Sequence, residues 1–311
     1  MDLPLPQGHT HPSPTPRLAA GVLLFSASLW GLSWLPLKWF AAQGLSGPLV
    51  TLLAYGLVGL IALPLIWRQR RAWRTQWGLL LALVLVGGWA NTSFVHALMQ
   101  GEVVRVMFLF YLSPVWAVLG GWLFLKERIP PLRWAAVGAA LMGLWLFLGQ
   151  DLHALRFSAS DALALSAGLC FAANNVIARA AQGVPMLSKT LAVFVGCGLI
   201  SLALHAGLGH GLPALPGVGW LAVLAVLTYG GVWLLLATAT WQFGVTHIES
   251  SRAGVILLAE LVVAVLSAVW LGSDSLSARE WAGGTLIALA ALAEAFDRPS
   301  PASSSSTKAC A

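Results

Sequence analysis

Ten apolar stretches, each close to the roughly 20 residues that a helix needs to cross the hydrocarbon of a bilayer, fill nearly the whole chain. They lie approximately at 18–38, 48–67, 78–98, 103–125, 133–149, 159–179, 190–208, 217–241, 253–271 and 281–296. Composition agrees: 59% of the 311 residues are hydrophobic and 9% are charged, against roughly 45–50% and about 25% in soluble domains. The expected fold class is an all-α integral membrane protein of ten transmembrane helices. What lies outside the runs is an arm at 1–17, beginning MDLPLPQGHTHPSPTP, and a tail at 297–311 ending RPSPASSSSTKACA. Both are too poor in apolar residues to pack and are read as disordered.

The arm has no basic start or small-residue cleavage site before its apolar run, so the first run is read as a retained span. His9 and His11 in that arm are read as solvated, and no metal or other cofactor is expected. Cys170 and Cys197 fall inside spans and Cys310 is the penultimate residue, so no disulfide framework or prenylation ending is present.

Orientation follows from the basic residues, which are retained on the cytoplasmic side. With the N-terminus inside, that side receives Arg17, Arg68, Arg70, Arg71, Arg74, Lys126, Arg128, Arg133, Arg179, Lys189, Arg252, Arg298 and Lys308, thirteen of the seventeen. The other side keeps Lys38, Arg105, Arg156 and Arg279. Both termini are therefore expected in the cytoplasm, in a multi-pass protein of the inner membrane. The formal charge of +6 needs no nucleic-acid partner, because a basic rim facing anionic lipid accounts for it. Trp67, Trp73 and Trp77 near span ends read as interfacial belt residues.

The spans repeat. At an offset of 147, the segment from Glu102 and the segment from Glu249 match Glu102 with Glu249, Arg105 with Arg252, Ala117 with Ala264, Glu127 with Asp274, and Trp134 with Trp281. At an offset of 141 the first span of each half aligns, with Lys38 on Arg179. A glycine pair before Trp recurs as GGW at 87–89 and GGVW at 230–233, with one gap. Each half has five spans, an odd number, so the second half crosses in the opposite sense. Such inverted repeats recur in transporters, with the substrate site near the midplane at the repeat interface. Gly87, Gly88, Gly230 and Gly231 read either as markers of that site or as points where helices approach closely.

The stretch YLSPVWAVLGGWLFLKERIPPLRWAAVGAALMGLWLF resembles the fourth and fifth helices of an EamA domain of the drug/metabolite transporter superfamily. WGLSWLPLK at 30–38 resembles that domain's first helix, and LLAELVVAVLSAVWLGSDSLSAREWAGG resembles the second copy's counterpart of spans 4 and 5. The resemblance covers residues 18–296. It implies two inverted five-helix EamA repeats, at 18–149 and 159–296, and a central cavity lined by spans 1, 3, 4, 6, 8 and 9. It also implies export or exchange of a small metabolite such as an amino acid. The second copy departs in having Leu261 where the first has Pro114, and Asp274 where the family more often has Glu.

The run GVILLAELVVAVLSAVW carries a glutamate, Glu260, which aligns with Ser113 of the first copy. On a helix it shares a face with Ile256, Leu257, Val263, Ala264 and Ser267. A charge at mid-helix costs roughly 2.5–3.5 kcal/mol on insertion scales, so this face is expected to turn into the bundle. Glu260 is a candidate to bind a substrate amino group or carry a coupling proton; the alternative is a protonated carboxyl that only holds helices together. Ser33 and its repeat partner Asn174, with Trp30, Trp34, Asn91, Tyr111, Ser113, Asn175, Tyr229 and Trp233, complete the expected substrate-binding set, since aromatic walls with a few polar groups suit a small organic ligand. His96 is read as a satisfied helix contact. The two Glu-x-x-Arg boxes are read as pairs along a helix start, with gating as the sharper alternative.

Other classes fit less well. The sequence holds no G-x-S-x-G, no H-E-x-x-H and no GxxxxGK[ST], so neither an intramembrane enzyme nor an ATP-driven pump is expected. The expected partners are a small-molecule substrate, membrane lipid and protons as coupling ion, with a monomer as the working unit. A channel or structural membrane protein is the alternative.

Overall fold

The computed structural model describes residues 16–125, 130–148, 157–207, 219–247, 250–272 and 276–296. The expected arm to residue 15 and the tail from 297, with Glu127, Asp274 and Glu249, therefore lie outside the described residues. Among those described, every regular element is helical. In chain order they are α1 (Arg17–Ala42), α2 (Gly47–Arg68), α3 (Arg70–Gln100), α4 (Val103–Phe110 and Ser113–Leu125), α5 (Pro131–Leu148), α6 (Ala159–Ala180), α7 (Met186–Gly207), α8 (Trp220–Thr228, continuing through Tyr229–Leu234 into Leu235–His247), α9 (Ser250–Leu271) and α10 (Ala278–Phe296). By length and composition α1, α2, α3, α6, α7 and α8 each suffice to cross a membrane; α5 and α9 carry shorter apolar segments at Trp134–Leu146 and Leu258–Leu271. The chain is a multi-pass membrane protein.

The basic stretch after the second apolar run is not the open loop that its charge suggests. Arg70–Trp73 and Arg74–Gln76 are helical, because Arg, Ala and Gln are good helix formers and neither Gly nor Pro interrupts them. Trp67 and Trp77 there are largely exposed, Arg70 stacks its guanidinium 5.3 Å from the Trp67 ring, and the Trp73 indole donates to the Ile66 carbonyl at 3.0 Å.

Hydrogen bonds sort the helix ends onto two faces. On one face, Ser188 Oγ donates to Gln69 Oε1 at 2.6 Å and the Gly183 amide donates to Gln76 Oε1 at 3.2 Å, so the α2–α3 and α6–α7 turns adjoin. On the other, Lys38 Nζ donates to the Gly101 carbonyl, and Arg105 pairs with Asp161, bringing the end of α1, the α3–α4 link and the start of α6 together. The equivalent helices α1 and α6 thus run in opposite senses.

Packing between helices respects an exchange of halves. α1 packs on α9 and α8, and α6 packs on their counterparts α4 and α3; α2 meets α8 as α7 meets α3. The pairs α5 with α10, α2 with α7 and α4 with α9 each map onto themselves. Close approach is achieved by glycine. A Cβ at Gly88 would stand 2.5 Å from the Gly196 carbonyl carbon, and one at Gly143 would stand 2.6 Å from the Gly283 oxygen.

The two copies differ where proline sits. Pro36 removes an amide and clashes with the carbonyl four residues earlier, and α1 accordingly breaks into a turn at 32–33. There the Ser33 amide and Oγ both donate to the Trp30 carbonyl, at 3.1 and 2.7 Å. α4 likewise breaks at 111–112, just ahead of Pro114 in the sequence. The second copy has Ile177 and Leu261 at these positions, and α6 and α9 run unbroken.

Of the four conspicuous glycines, Gly88 and Gly230 abut the backbones of Gly196 and Ala54, whereas Gly231 has open space around it. Overpacking costs about 1–3 kcal/mol, so Gly88→Ala should lower the unfolding temperature in detergent by several degrees. Gly231→Ala should leave it unchanged or raise it slightly. Equal effects at the two positions would contradict this packing.

Candidate functional site

A cavity of about 310 Å³ lies between the two copies. Its walls come from α1 (Trp30), α2 (Tyr55), α3 (Leu83, Asn91, Phe94), α4 (Phe110), α6 (Phe171, Asn174, Asn175, Ala178), α7 (Met186, Lys189, Val193), α8 (Thr238, Trp241) and α9 (Glu260). The six spans expected to line it do so, and α2 and α7 join them. The reason is the direct α2–α7 contact across the repeat interface, where Tyr55 and Phe194 stack at 5.3 Å.

Irregular backbone surrounds this cavity. The α1 break presents Trp30, and the α4 break follows Phe110 and leads into Tyr111. α3 winds as a π-helix over Leu83–Gly87 and α8 does so over Tyr229–Leu234, at matching places in the two copies. Single π turns inside α-helices are often found at functional sites. Gly87 lies close against this wall: a Cβ there would come within 2.6 Å of Asn174 Oδ1 and 2.7 Å of a Val193 methyl, so one of these side chains would have to shift.

Glu260 stands in the cavity wall and is 8% exposed. Its carboxyl is hydrogen-bonded to the Tyr111 side chain. The face of α9 that bears it turns inward: Ala264 and Ser267 are buried, Val263 packs on Gly31, and Val262 and Leu266 point outward. Ser267 Oγ accepts the Trp34 indole N–H at 2.9 Å, tying α9 to α1. Asn174 Oδ1 is buried and has no hydrogen-bond partner, and Asn91 spends its amide N–H on the Gly87 carbonyl at 2.9 Å. Phe110 is the centre of an aromatic cluster, with ring centroids 4.4 Å from Phe94 and 5.3 Å from Phe171.

The expected set is thus partly assembled. Trp30, Asn91, Asn174, Asn175 and Glu260 line the cavity. Tyr111 reaches it only through Glu260. Ser33 and Trp34 are buried in the α1 break and its contact with α9, Ser113 is buried beside Leu112, and Tyr229 and Trp233 belong to a second, apolar groove between α1 and α8. Trp233 there donates its indole N–H to the Leu29 carbonyl at 3.2 Å. Tyr55, Phe94, Phe110, Phe171, Lys189 and Trp241 were not anticipated. Lys189 reads in the sequence as a rim charge, and nothing distinguishes the phenylalanines from packing residues before the helices are placed.

The cavity reaches the surface at the α6–α7 turn. Met186, half exposed, and Lys189 form its rim at the α6–α7 turn. The opposite end is sealed for seven to ten residues along α1, α3 and α4, roughly 10–15 Å at 1.5 Å per residue, by buried Leu37, Phe40, Leu98, Val103 and Val106. Arg105 closes that end, its Nε 2.7 Å from Asp161 Oδ1 and its Nη2 2.9 Å from Oδ2. Asp161 is held in turn by a capping box with Ser158, whose amide donates to Oδ2 at 2.9 Å. This corrects the expected pairing of Arg105 with Glu102. The guanidinium crosses to α6 because Asp161 is almost wholly buried there and needs a counter-charge, while Glu102 is exposed and makes no capping bond. His96 also departs from expectation: it packs on Gly47, with Nδ1 buried and unpartnered. The second Glu-x-x-Arg box falls on Glu249 and the side chain of Arg252, outside the described residues.

A model of the EamA-like transporter family matches residues 17–149 and again 158–293. Among curated proteins nothing matches the chain. Among the solved structures that are similar is a crystal structure at a TM-score of 0.57 and 18% identity, covering 90% of this chain and 97% of that one, a likeness of fold alone.

Removing one partner of a buried ion pair costs about 3–5 kcal/mol. Asp161→Ala should therefore destabilise the protein by about 3 kcal/mol, with Arg105→Met combined with Asp161→Leu recovering much of the loss. Thermal unfolding in detergent checks this; a double variant no better than the single would show that the charge pairing is not what matters.

Proposed function

Because the chain belongs to the EamA-like transporter family, we propose that it is a secondary transporter of a small amino-bearing metabolite, an amino acid or related compound, which it exports or exchanges by alternating access across the inner membrane. Ten crossings arranged as two inverted repeats are part of this reading, supported by the opposed senses of α1 and α6 and by packing that survives exchange of the halves. The observation that carries it is the cavity at the repeat interface, reaching the surface at the α6–α7 turn, with Glu260 as the one carboxyl among its described lining residues.

The cavity's chemistry favours a ligand that brings donors. Glu260 accepts, Asn174 Oδ1 is an acceptor without a partner, and the Phe94, Phe110 and Phe171 rings with Trp30 and Trp241 offer faces suited to an ammonium and an apolar body. About 310 Å³ is the size of a small organic molecule's site. A path sealed at one end suits a carrier better than a channel. Glu260 is the candidate carrier of a coupling proton, since a carboxyl in the cavity can exchange its proton for a substrate's charge.

Gln keeps nearly the volume and the hydrogen-bonding capacity of Glu and lacks a reversible charge. Glu260→Gln should leave the unfolding temperature nearly unchanged while abolishing pH-dependent uptake of amines and amino acids into proteoliposomes, and Glu260→Asp should retain part of it. Wild-type rate and pH profile in Glu260→Gln would reduce the carboxyl to scaffolding. Orientation is checked separately by single cysteines in intact cells, with the native cysteines removed. Arg71→Cys should be shielded from an impermeant external thiol reagent and Gln43→Cys labelled, the two residues being exposed at opposite ends of the bundle; the reverse pattern would invert the topology.

A further inference from the structure

The cavity has a second charged group, Lys189, which the amine-binding reading does not use. Lys189 lies at the rim, beyond the aromatic cluster from Glu260. Its Nζ donates to the carbonyls of Ala178 and Ala181 at 3.0 and 3.1 Å. These bonds fix the ammonium at the end of α6, and an ammonium has three donors, so one remains after them. Lys189 is one of the residues of the cavity wall.

The separation of the two charges can be read along α6. Glu260 is bonded to Tyr111, the neighbour of Phe110, whose ring is 5.3 Å from Phe171 and whose carbonyl lies against Gly168. Glu260 therefore stands at the level of residues 168–171 of α6. Lys189 Nζ stands at the carbonyl of Ala178. Seven to ten residues of α-helix separate that level from Ala178, a rise of roughly 10–15 Å. Between the two poles the wall is largely apolar, with Phe94, Phe110, Phe171 and Val193, and with Asn174 and Asn175 interposed.

We propose that Lys189 is the anion-binding pole of this cavity, and that the cavity is built for a zwitterion whose ammonium and carboxylate stand roughly 10–15 Å apart across an apolar body. The proposal rests on the reading of Glu260 as the amine-binding group and narrows its substrate. A free α-amino acid has its two charges on neighbouring atoms and reaches one pole at a time. A short peptide or an ω-amino carboxylic acid spans both. Placing the carboxylate-binding group at the rim also lets the ligand's anion be met first on entry from that end, while the ammonium travels on past the aromatic faces to Glu260.

The test is isothermal titration of the purified full chain in detergent with glycine, ω-aminohexanoate, ω-aminooctanoate and the methyl ester of ω-aminooctanoate. A charge-assisted hydrogen bond contributes about tenfold or more in affinity. ω-Aminooctanoate should therefore bind about tenfold more tightly than glycine and than its own methyl ester, which keeps the amine and the length but has no anion. Lys189→Met should erase the preference for acid over ester and leave ester binding as it was. Glu260→Gln should weaken acid and ester alike. If the ester binds in a Glu260-dependent way but no tighter acid binding is seen, or if Lys189→Met leaves the acid-to-ester ratio unchanged, the anion pole is wrong and the amine site stands. If glycine binds as tightly as ω-aminooctanoate, the spacing is wrong. If no member of the series binds, both the pole and the amine site fall.

Discussion

Within the hydrocarbon layer no water is available to an unpaired backbone amide or carbonyl, so a chain crossing it must either stay helical or hide each interruption inside protein. That constraint organises this molecule. Its interruptions within the bundle are the turn at 32–33, the turn at 111–112 and the π windings of α2, α3 and α8. They do not face lipid at random. The two turns border residues of the cavity or of the contacts behind it, and the α3 winding contributes Leu83 to the cavity wall directly. Where Pro36 takes an amide out of α1, the Leu32 carbonyl it would have met accepts from the Leu35 amide at 3.1 Å instead, while in the turn before it the Trp30 carbonyl is met by both the amide and the hydroxyl of Ser33, and Ser33 itself is buried. The position that looks in the sequence like a ligand contact is thus employed in making the break affordable, and Trp30 is the residue the break delivers.

Close helix contact serves the same end. Lipid tails are as apolar as leucine, so helices in a bilayer gain little from hiding apolar surface from one another and depend on packing distance. Gly56 meets Gly198, Gly88 meets Gly196, and Gly143 lies against the Gly283 carbonyl. These contacts all cross between the copies. They clamp α2 and α3 to α7, and α5 to α10, leaving the cavity where bulkier residues such as Phe110, Phe171 and Trp241 keep the helices apart.

Much of this was legible before the helices were placed. The apolar runs, the matched Glu102 and Glu249 segments, and the aligned Ser33 and Asn174 place two copies of one unit around a shared interface. The inward turn of Glu260 follows from the cost of a charge facing lipid. What a single sequence does not carry is which of several inward residues borders the same empty space. Trp34 and Asn174 lie on spans that both line the cavity, yet Trp34 is bound to Ser267 while Asn174 faces the cavity. Lys189 was hidden by its own charge, which topology alone explained. The partner of Arg105 was hidden too, because Asp161 is 56 residues away and Glu102 three residues away offered a local pairing that the fold does not use.

Two copies of one unit facing each other would, if identical, have two closed states of equal energy, one sealing each end. The side chains remove that equality. The end of the bundle sealed in this structure has Arg105 bound through two hydrogen bonds to a buried Asp161. Exchange of the halves carries Arg105 to Arg252 and Asp161, at the offset of the first spans, to Ala20. The mirror-image seal therefore has a cation at the equivalent place and no equivalent carboxylate. The prolines are likewise confined to one copy, so α1 and α4 have hinges where α6 and α9 have continuous helix. An inverted repeat would allow two related arrangements of the backbone, and side chains that differ between the copies would set them at different energies; the arrangement seen here is one in which the Arg105–Asp161 pair is made.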